Sequence, residues 1–473
     1  MDLQIKSFSD IDVNDSFFDS LRDSYPEFHN WYSKKAASGA TAYCYYIDGE
    51  LKDFLYLKIE EEELSDITPV LPAKKRLKVG TFKVDNDNRH TTRGERFMKK
   101  IMDKAIAEDV DEIYVTMFPT ESLQKLIAVF EKFGFSHIAD KIHGEEKSEY
   151  VLVKDMRTHV GDMMLDYPFV KKTGSDKYIL SINPEYHTQL FPDSILNNEQ
   201  KYDPIQDISE TNSIYKIYIC WMSGVKDLKK GDKLVIYRTS DHQAPAAYRS
   251  VCTSVCTVCE VKTYKDFADE DAFVKYTNRY SVFNERDLRG WYKQKNYFTV
   301  IKMVYNIAFT KKVINKVMKE QVGLRPNYWG FFKLTDAQFD KILELGEIDD
   351  VILSIKPEFV EKIFSGEKKY EYRKVLFKQK VDTIYIYASR PISKIVGEFK
   401  IEDIICDTPE NIWKLTKEQS GVTKKFFDKY YEGKEKAVAF KIKDCKEYEE
   451  GVNPNSLVPN FKVPQSFIYF NIQ

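Results

Sequence analysis

The run Leu77-Lys-Val-Gly-Thr-Phe-Lys-Val84 reads as a strand. It is followed by a polar loop, Asp85-Asn-Asp-Asn-Arg89-His-Thr-Thr-Arg-Gly94, and by a helix-like run from Glu95. A strand that feeds a loop and then a helix start leaves several backbone N–H groups unpaired at one point in space. That geometry suits a phosphate. Arg89 and Arg93 bring positive charge beside those amides. The N-terminal third is therefore a candidate site for a coenzyme that carries a pyrophosphate.

At 473 residues the chain is long enough for roughly three domains of ~150 residues, each able to bury its own core. The pattern divides it at 1–160, 161–348 and 349–473. With 43% hydrophobic and 31% charged residues the composition is globular. No apolar run approaches the ~18 residues of a membrane span. The first residues hold no basic segment followed by an apolar one, so the expected location is the cytoplasm. The seven cysteines are an odd number and suggest no disulfide framework. Charge is split along the chain. Residues 1–160 hold 23 Lys+Arg against 30 Asp+Glu, and the remainder 49 against 44. The mildly basic remainder permits a nucleic-acid partner.

In the first third, Ala42–Ile47 and Asp53–Ile59 read as a hairpin around Asp48-Gly49, and Leu77–Val84 as a third strand. Phe97–Ala107 is helical, with Phe97, Ile101 and Ala105 on one face. Glu112–Met117 is a buried strand. Ser122–Phe133 is a helix that stops at Gly134, and Glu149–Lys154 is a last strand. This order resembles the GNAT family of N-acetyltransferases. Its pyrophosphate loop corresponds to Arg89-His-Thr-Thr-Arg-Gly94, with Phe97 at the apolar position beyond. Phe130-Glu-Lys-Phe-Gly134-Phe135 is similar to the family's Tyr-Glu-x-x-Gly-Phe element. Thr92 stands where the family usually has a glycine, and Phe130 where many members have the tyrosine that protonates the leaving thiolate. The resemblance implies acetyl-CoA as cofactor, held by Arg89, Thr92, Arg93 and Gly94. A backbone amide near Phe82–Val84 would polarise the thioester carbonyl, and a neutral amine would attack it directly. Glu60-Glu-Glu-Glu63 follows a strand and is expected at the acceptor end or on a solvated face.

In 161–348, strands at Tyr215–Trp221, Leu234–Thr239 and Tyr248–Lys262, with a turn at Lys229-Lys-Gly-Asp232, resemble the PUA-like barrels. Residues 349–473 resemble the ASCH family, which shares that fold. The resemblance rests on Leu353-Ser-Ile-Lys356-Pro357 and on Phe364-Ser-Gly366-Glu-Lys368-Lys369-Tyr370-Glu371-Tyr372-Arg373. Further strands are read at Val381–Ala388, Lys394–Phe399 and Ala437–Ile442. The expected architecture is thus an α/β GNAT-like domain followed by two PUA-like β-barrels. Those modules imply recruitment of RNA, single-stranded DNA or a modified nucleotide. Trp221, Tyr237 and Arg238 are candidates for a base-stacking pocket, or for core. Lys356, Lys368, Glu371 and Arg373 are candidates for phosphate or base-edge contacts, or for a salt-bridged strand face. Strand alternation puts Lys368 on the face of Tyr370 and Tyr372, and Glu371 with Lys369 and Arg373. ASCH amidohydrolases acting on acetylated cytidine place a threonine where Glu371 stands, which argues against that hydrolysis here. The leading expectation is an acetyltransferase with nucleic-acid-recruiting modules. The others are a non-catalytic reader on a degenerate GNAT scaffold, and a regulatory or defence module acting on a protein.

Cys252-x3-Cys256-x2-Cys259 has the spacing that radical S-adenosylmethionine enzymes use for an iron–sulfur cluster, but it lies in a β-branched run. In a strand Cys252 and Cys256 share a face and Cys259 points away, whereas cluster ligands need a wrapping loop. Small core cysteines are the expected reading, with no metal. The seven histidines are scattered without paired metal spacing.

Overall fold

The computed structural model describes residues 3–85, 92–143, 147–194, 213–241, 245–294, 297–377, 380–458, 461–464 and 466–470. It is mixed α/β, with three sheets distributed over two compact units. The first unit holds residues 1–241, 254–308 and 326–336, and the second 242–253, 309–325 and 337–473. Among the described residues no helix is long and apolar enough to cross a membrane.

The first sheet has seven strands: β1 (Leu3–Ser7), β2 (Thr41–Ile47), β3 (Glu50–Glu60), β4 (Arg76–Val84), β5 (Glu112–Met117), β6 (Ser136–His143) and β7 (Lys147–Asp155). Their order is β1-β2-β3-β4-β5-β7-β6. Every neighbouring pair is antiparallel except β4 and β5. α1 (Asp19–Ser24) and α2 (Phe28–Ala37) precede β2, α3 (Arg93–Ala107) joins β4 to β5, and α4 (Gln124–Lys132) follows β5. Phe8, Phe18, Phe28 and Tyr32 pack with Phe54 and Tyr56 on one face of β3. Leu55 lies on the opposite face, in the core that holds α3 and α4.

β4 pairs with β3 from Arg76 to Val84 but with β5 only from Arg76 to Val79. The break has a local cause. Tyr56 pairs with Thr81 and Leu57 with Val79, which leaves Gly80 as an extra, bulged residue. A Cβ on Gly80 would lie 2.6 Å from Cδ1 of Tyr56, so only glycine fits against that ring. Beyond Gly80 the two parallel strands part.

α3 explains how the first unit coheres. The expected stripe Phe97, Ile101 and Ala105 is buried, but so are Met98, Lys99 and Met102. The helix is covered on more than one side because the second sheet contributes to the same apolar cluster, through Ile217, Ile219, Ile301 and Met303 among others. That sheet holds β8 (Lys177–Ile182), β9 (Tyr215–Cys220), β10 (Lys233–Arg238), β11 (Val251–Thr263), β12 (Thr299–Ile314) and β13 (Phe331–Leu334), in the order β13-β8-β10-β11-β12-β9. The helices of this stretch are α5 (Pro184–Leu190), α6 (Ala246–Arg249), α7 (Glu270–Thr277), α8 (Glu285–Lys293), α9 (Asn315–Glu320) and α10 (Asp336–Glu347).

The third sheet lies in the second unit. Its strands are β14 (Ile348–Ile355), β15 (Tyr370–Arg373), β16 (Lys380–Ala388), β17 (Lys394–Asp407), β18 (Ala437–Val452) and β19 (Phe467–Phe470). α11 (Pro357–Phe364), α12 (Pro409–Thr416), α13 (Lys424–Tyr430) and α14 (Pro454–Leu457) complete it. β17 and β18 run well past the strands read from sequence. Their outer halves are largely exposed, and in β18 the apolar alternation ends where the core ends.

Read from its other edge, the third sheet has the order β19-β14-β16-β17-β18-β15. Strand for strand, this is the order of the second sheet. In both, the first strand pairs in parallel with the third and antiparallel with the sixth, and the fifth pairs antiparallel with the second. The sequences agree at the same place. Ile179-Leu-Ser-Ile-Asn-Pro-Glu-Tyr-His-Thr-Gln-Leu-Phe191 and Ile352-Leu-Ser-Ile-Lys-Pro-Glu-Phe-Val-Glu-Lys-Ile-Phe364 are identical at seven of thirteen positions. The two modules are duplicates, offset by 173 residues from Ile179 to Ile352.

Gly134 ends α4 at φ +85°, and a Cβ there would lie 2.2 Å from the carbonyl oxygen of Leu165. Both the left-handed backbone and the close approach require glycine. Gly134→Ala is expected to destabilise the chain by about 1–3 kcal/mol, read as a lowered midpoint of urea unfolding with an unchanged slope.

Candidate functional site

Two places concentrate chemistry. In the first unit it is the mouth between β4 and β5. From Gly80 onward β4 has no strand partner on its β5 side among the described residues, so its backbone groups there face an opening. Phe82 lines the opening, edge-on to Phe97 and Phe130, each at 5.5 Å between ring centres. Val84 ends the strand, half-buried. α3 then starts close by. Thr92 is its N-cap at φ −78°, ψ −1°, an ordinary helical conformation in which a β-branched residue is unstrained, and its side chain makes no cap bond. A Cβ on Gly94 would meet nothing within 4 Å, so the helix start is open to an approaching group. The N-terminus of a 15-residue helix, an open approach at Gly94 and a parted strand edge are features that suit the pyrophosphate and thioester ends of acetyl-CoA.

The flanking charges behave differently from the backbone. Arg89 lies outside the described residues. Arg93 is buried, with Nη1 3.3 Å from Oδ2 of Asp53 and its guanidinium 5.2 Å from the ring centre of Tyr45. Its side chain braces the fold under the helix start. Burial pushes the Asp53 carboxyl up to about 6, against the pull of Arg93. Phe130 is fully buried and packs edge-on against Phe135. Glu60 sits at the closed end of the sheet, since it pairs with Arg76, where β4 and β5 are still joined. It bonds the Tyr114 hydroxyl and Lys58. That places it away from the mouth.

In the second sheet the residues considered for a stacking pocket are separated. β11 and β12 lie between β10 and β9, a span of about 14 Å at ~4.8 Å per strand. Trp221, just past β9, is exposed and edge-on to Trp291 at 5.2 Å. Tyr237 is buried and stacked on Trp329 at 4.9 Å. Arg238 is buried, 3.3 Å from the carbonyl of Thr239 and 4.0 Å from Asp241. Tyr237 and Arg238 are consecutive in β10 and project to opposite faces of the strand, and Trp221 is not brought to either. Cys252 and Cys256 are fully buried in β11 and Cys259 half-buried, with burial raising all three thiols.

The second place is the start of β15, in the second unit. Lys368 Nζ lies 3.3 Å from Glu371 Oε2, and Arg373 Nη2 2.8 Å from Glu371 Oε1. All three side chains are buried. Alternation had put Lys368 and Glu371 on opposite faces. They meet because β15 begins only at Tyr370, so Lys368 lies outside the pleat and turns back, donating to the carbonyls of Tyr370 and Ser420. Gly421, at φ +63°, lets the neighbouring loop close on it, since a Cβ there would sit 2.4 Å from Cβ of Lys368. Arg373 also donates to the carbonyls of Ser354 (3.0 Å) and Ser466 (3.3 Å), yet its buried Nε has no partner. Burial lowers Lys368 from the usual lysine range, and Glu371 opposes that shift.

Aromatic side chains flank the triad; Tyr372 is where alternation placed it beside Lys368, and the others the sequence reading missed. Lys368 Nζ lies 4.5 Å from the ring centre of Tyr372 and 5.9 Å from that of Phe359 on α11. Phe426 on α13 packs against Phe359 at 5.0 Å and parallel to Tyr430 at 6.4 Å. Lys356 and Lys374 lie 5.5 Å and 4.9 Å from the rings of Phe426 and Tyr430. The i, i+4 spacing of Phe426 and Tyr430 was the available signal. A buried ionic cluster with one unpartnered N–H, several aromatic rings and two lysines thus lie together at the start of β15.

A sequence profile for a domain of unknown function, DUF365, matches residues 348–461. The large ribosomal subunit protein uL22 of Ureaplasma parvum serovar 3 is 33% identical over 110 residues, which is 23% of this chain and 34% of that protein. The chain thus spans about a third of that relative's length. An ASCH domain-containing ribonuclease of Zymomonas mobilis is 29% identical over 124 residues, 25% of this chain and 83% of its own. Among solved structures, an ASCH protein from Zymomonas mobilis matches at 27% identity over 26% of this chain and 87% of its own, with a TM-score of 0.25. Chaetomium thermophilum Naa20 in complex with a bisubstrate analogue matches at 18% identity over 34% and 92%, also with a TM-score of 0.25.

Removing one member of a buried ion cluster strands its partners. Glu371→Gln is expected to destabilise the second unit by about 3–5 kcal/mol. When the duplicated sheets are matched on Val300 and Val438, Arg373 corresponds to Ile219, Glu371 to Ile217 and Lys368 to Ile214. The triple change of Lys368, Glu371 and Arg373 to isoleucine should therefore fold with most of the stability that the single change loses. Urea unfolding of both variants checks this.

Proposed function

We propose that the chain is an acetyl-CoA-dependent N-acetyltransferase whose second unit engages RNA. The observation that carries the first half is the bulge at Gly80. It parts β4 from β5 and frees strand backbone directly before a helix start open at Gly94. The amides of Thr92–Gly94 would hold the pyrophosphate, and the Phe82–Val84 backbone would accept the pantetheine arm and polarise the carbonyl. This is the GNAT-like reading, with the second and third sheets as two PUA-like modules, the last of them ASCH-like.

The RNA half is supported by the similarity to a protein named as a ribonuclease and by the ionic cluster and aromatic rings around Arg373. Unpaired bases stack on aromatic rings, and lysines follow the phosphates. Glu371 is already bridged to two cations, which suits recognition better than acyl attack on an acetylated base. One observation favours a second reading, in which the first unit binds acetyl-CoA with little transfer. Phe130 occupies the place of the proton donor and cannot donate.

Calorimetry of acetyl-CoA on the full chain is expected to show binding, and Gly94→Asp to abolish it by placing a carboxylate against the phosphates. Absence of heat and of thermal stabilisation at millimolar acetyl-CoA would refute the acetyl-CoA reading. Electrophoretic shifts with a single-stranded RNA should weaken as salt rises, and Arg373→Gln should weaken them at every salt concentration. A shift indifferent to salt, or none at low salt, would refute the RNA half. Thiol release with free amines separates the acetyltransferase from the non-catalytic binder.

A further inference from the structure

A cluster at the far side of the β4–β5 mouth has no part in the sites above. Tyr25, between α1 and α2, donates its hydroxyl to Oε1 of Glu149 at 2.7 Å. His143 Nε2, at the end of β6, lies 2.8 Å from Oε2 of the same carboxylate. The rings of Tyr25 and His143 both lie against Phe118, at 5.5 and 5.8 Å, and Phe118 directly follows β5. Glu149 is 3% exposed, whereas His143 keeps solvent access. Burial and Glu149 together raise the Tyr25 hydroxyl, so it stays a donor.

The face of the sheet decides what this cluster meets. Glu149 shares a face of β7 with Val151 and Val153, which pack with Tyr114 away from the α3–α4 core that holds Leu152. It also sits beside Tyr150, the partner of Met117 at the open end of β5. A molecule that enters at the start of α3 and passes between the parted strands would emerge on the Glu149 face.

Resting on the acetyltransferase reading, the geometry points to His143, oriented by Glu149 and Tyr25, as the residue that takes the proton from a primary amine acceptor entering on that face. With Nε2–H held by Glu149, Nδ1 is the basic nitrogen. The neutral amine attacks the thioester carbonyl carbon, the C–N bond forms, and the C–S bond breaks with its electron pair leaving on sulfur. Nδ1 of His143 takes the amine proton, and the thiolate takes its proton from solvent because Phe130 has none to give. The buried Glu149 carboxylate and the rings of Tyr25 and Phe118 also suit a cationic amine before it loses its proton.

The test uses the full chain, acetyl-CoA, and two probe amines, n-butylamine and penta-alanine with a free α-amine, with thiol release as the readout. His143→Gln is expected to lower kcat by about 10²-fold or more while KM for acetyl-CoA is unchanged, and added imidazole should restore part of the rate. Glu149→Gln should in addition weaken penta-alanine binding, measured by calorimetry in the presence of CoA. Unchanged kcat in His143→Gln overturns the assignment. Acetyl-CoA binding by the wild type without thiol release on either amine overturns it too, and leaves the binding reading standing. A wild type that neither binds acetyl-CoA nor releases thiol overturns both.

Discussion

The first unit rests on the burial of α3 from two sides. One stripe of the helix, Phe97, Ile101 and Ala105, belongs to the first sheet's core, where Phe82 meets Phe97. Glu95 and Lys99, four residues apart and hence neighbours on another face, meet the segment after α7 and strand β12 of the second sheet. Glu95 accepts from the Tyr280 hydroxyl at 2.9 Å, and Lys99 lies 5.4 Å from the ring centre of Tyr305. Each large apolar side chain so buried contributes roughly 1.5–3 kcal/mol. A helix covered on one side only would leave Lys99, paired with Asp103, in solvent and the isoleucines of β9 and β12 bare. The start of α3, where the pyrophosphate is proposed to bind, is therefore held by residues from the first sheet, from β12 and from the segment after α7.

Much of the architecture was legible because it is periodic. The strand–loop–helix of 77–107, the helix stop at Gly134 and the entry to β14 and α11 follow from alternation, 3.6-residue spacing and glycine or proline punctuation. The opening between β4 and β5 was not legible. It depends on a single residue of register at Gly80, and no property of Gly80 alone distinguishes a bulge from an ordinary strand glycine. The pairing of Lys368 with Glu371 was missed for a related reason. Alternation holds only inside a strand, and β15 starts two residues after Lys368. Trp221 was grouped with Tyr237 on chemical type, which carries no information about strand order.

The duplication changes how the charges of the third sheet are understood. Two copies of one topology keep the same core strand, Ile-Leu-Ser-Ile, and the same proline-started helix. They differ at the strand that carries the ionic triad. Where the second unit buries a lysine, a glutamate and an arginine, the earlier copy has three isoleucines in its apolar cluster. A fold that is stable with isoleucines at these positions does not need the charges for folding, since a buried ion network rarely outweighs good apolar packing. Their presence in one copy is what the proposed recognition would explain, with the buried Nε of Arg373 as one group that a ligand could satisfy.

The same contrast separates backbone from side chain at the β4–β5 mouth. Arg93 was considered as a cation beside a phosphate, but it turns inward to Asp53 and Tyr45. What the mouth presents is amide groups, from the freed edge of β4 and the first turn of α3, whose positions are set by the bulge and by the core under the helix. Such groups require no particular side chain. They require that nothing intrude, and at Gly94 the approach is open. The side-chain chemistry lies beyond the mouth, where Glu149 is buried between a tyrosine and a histidine. A buried carboxylate is stable only when its oxygens are satisfied, and each oxygen here has one partner. The phenol holds its proton, so the histidine is the member of the three that can exchange one with an incoming group.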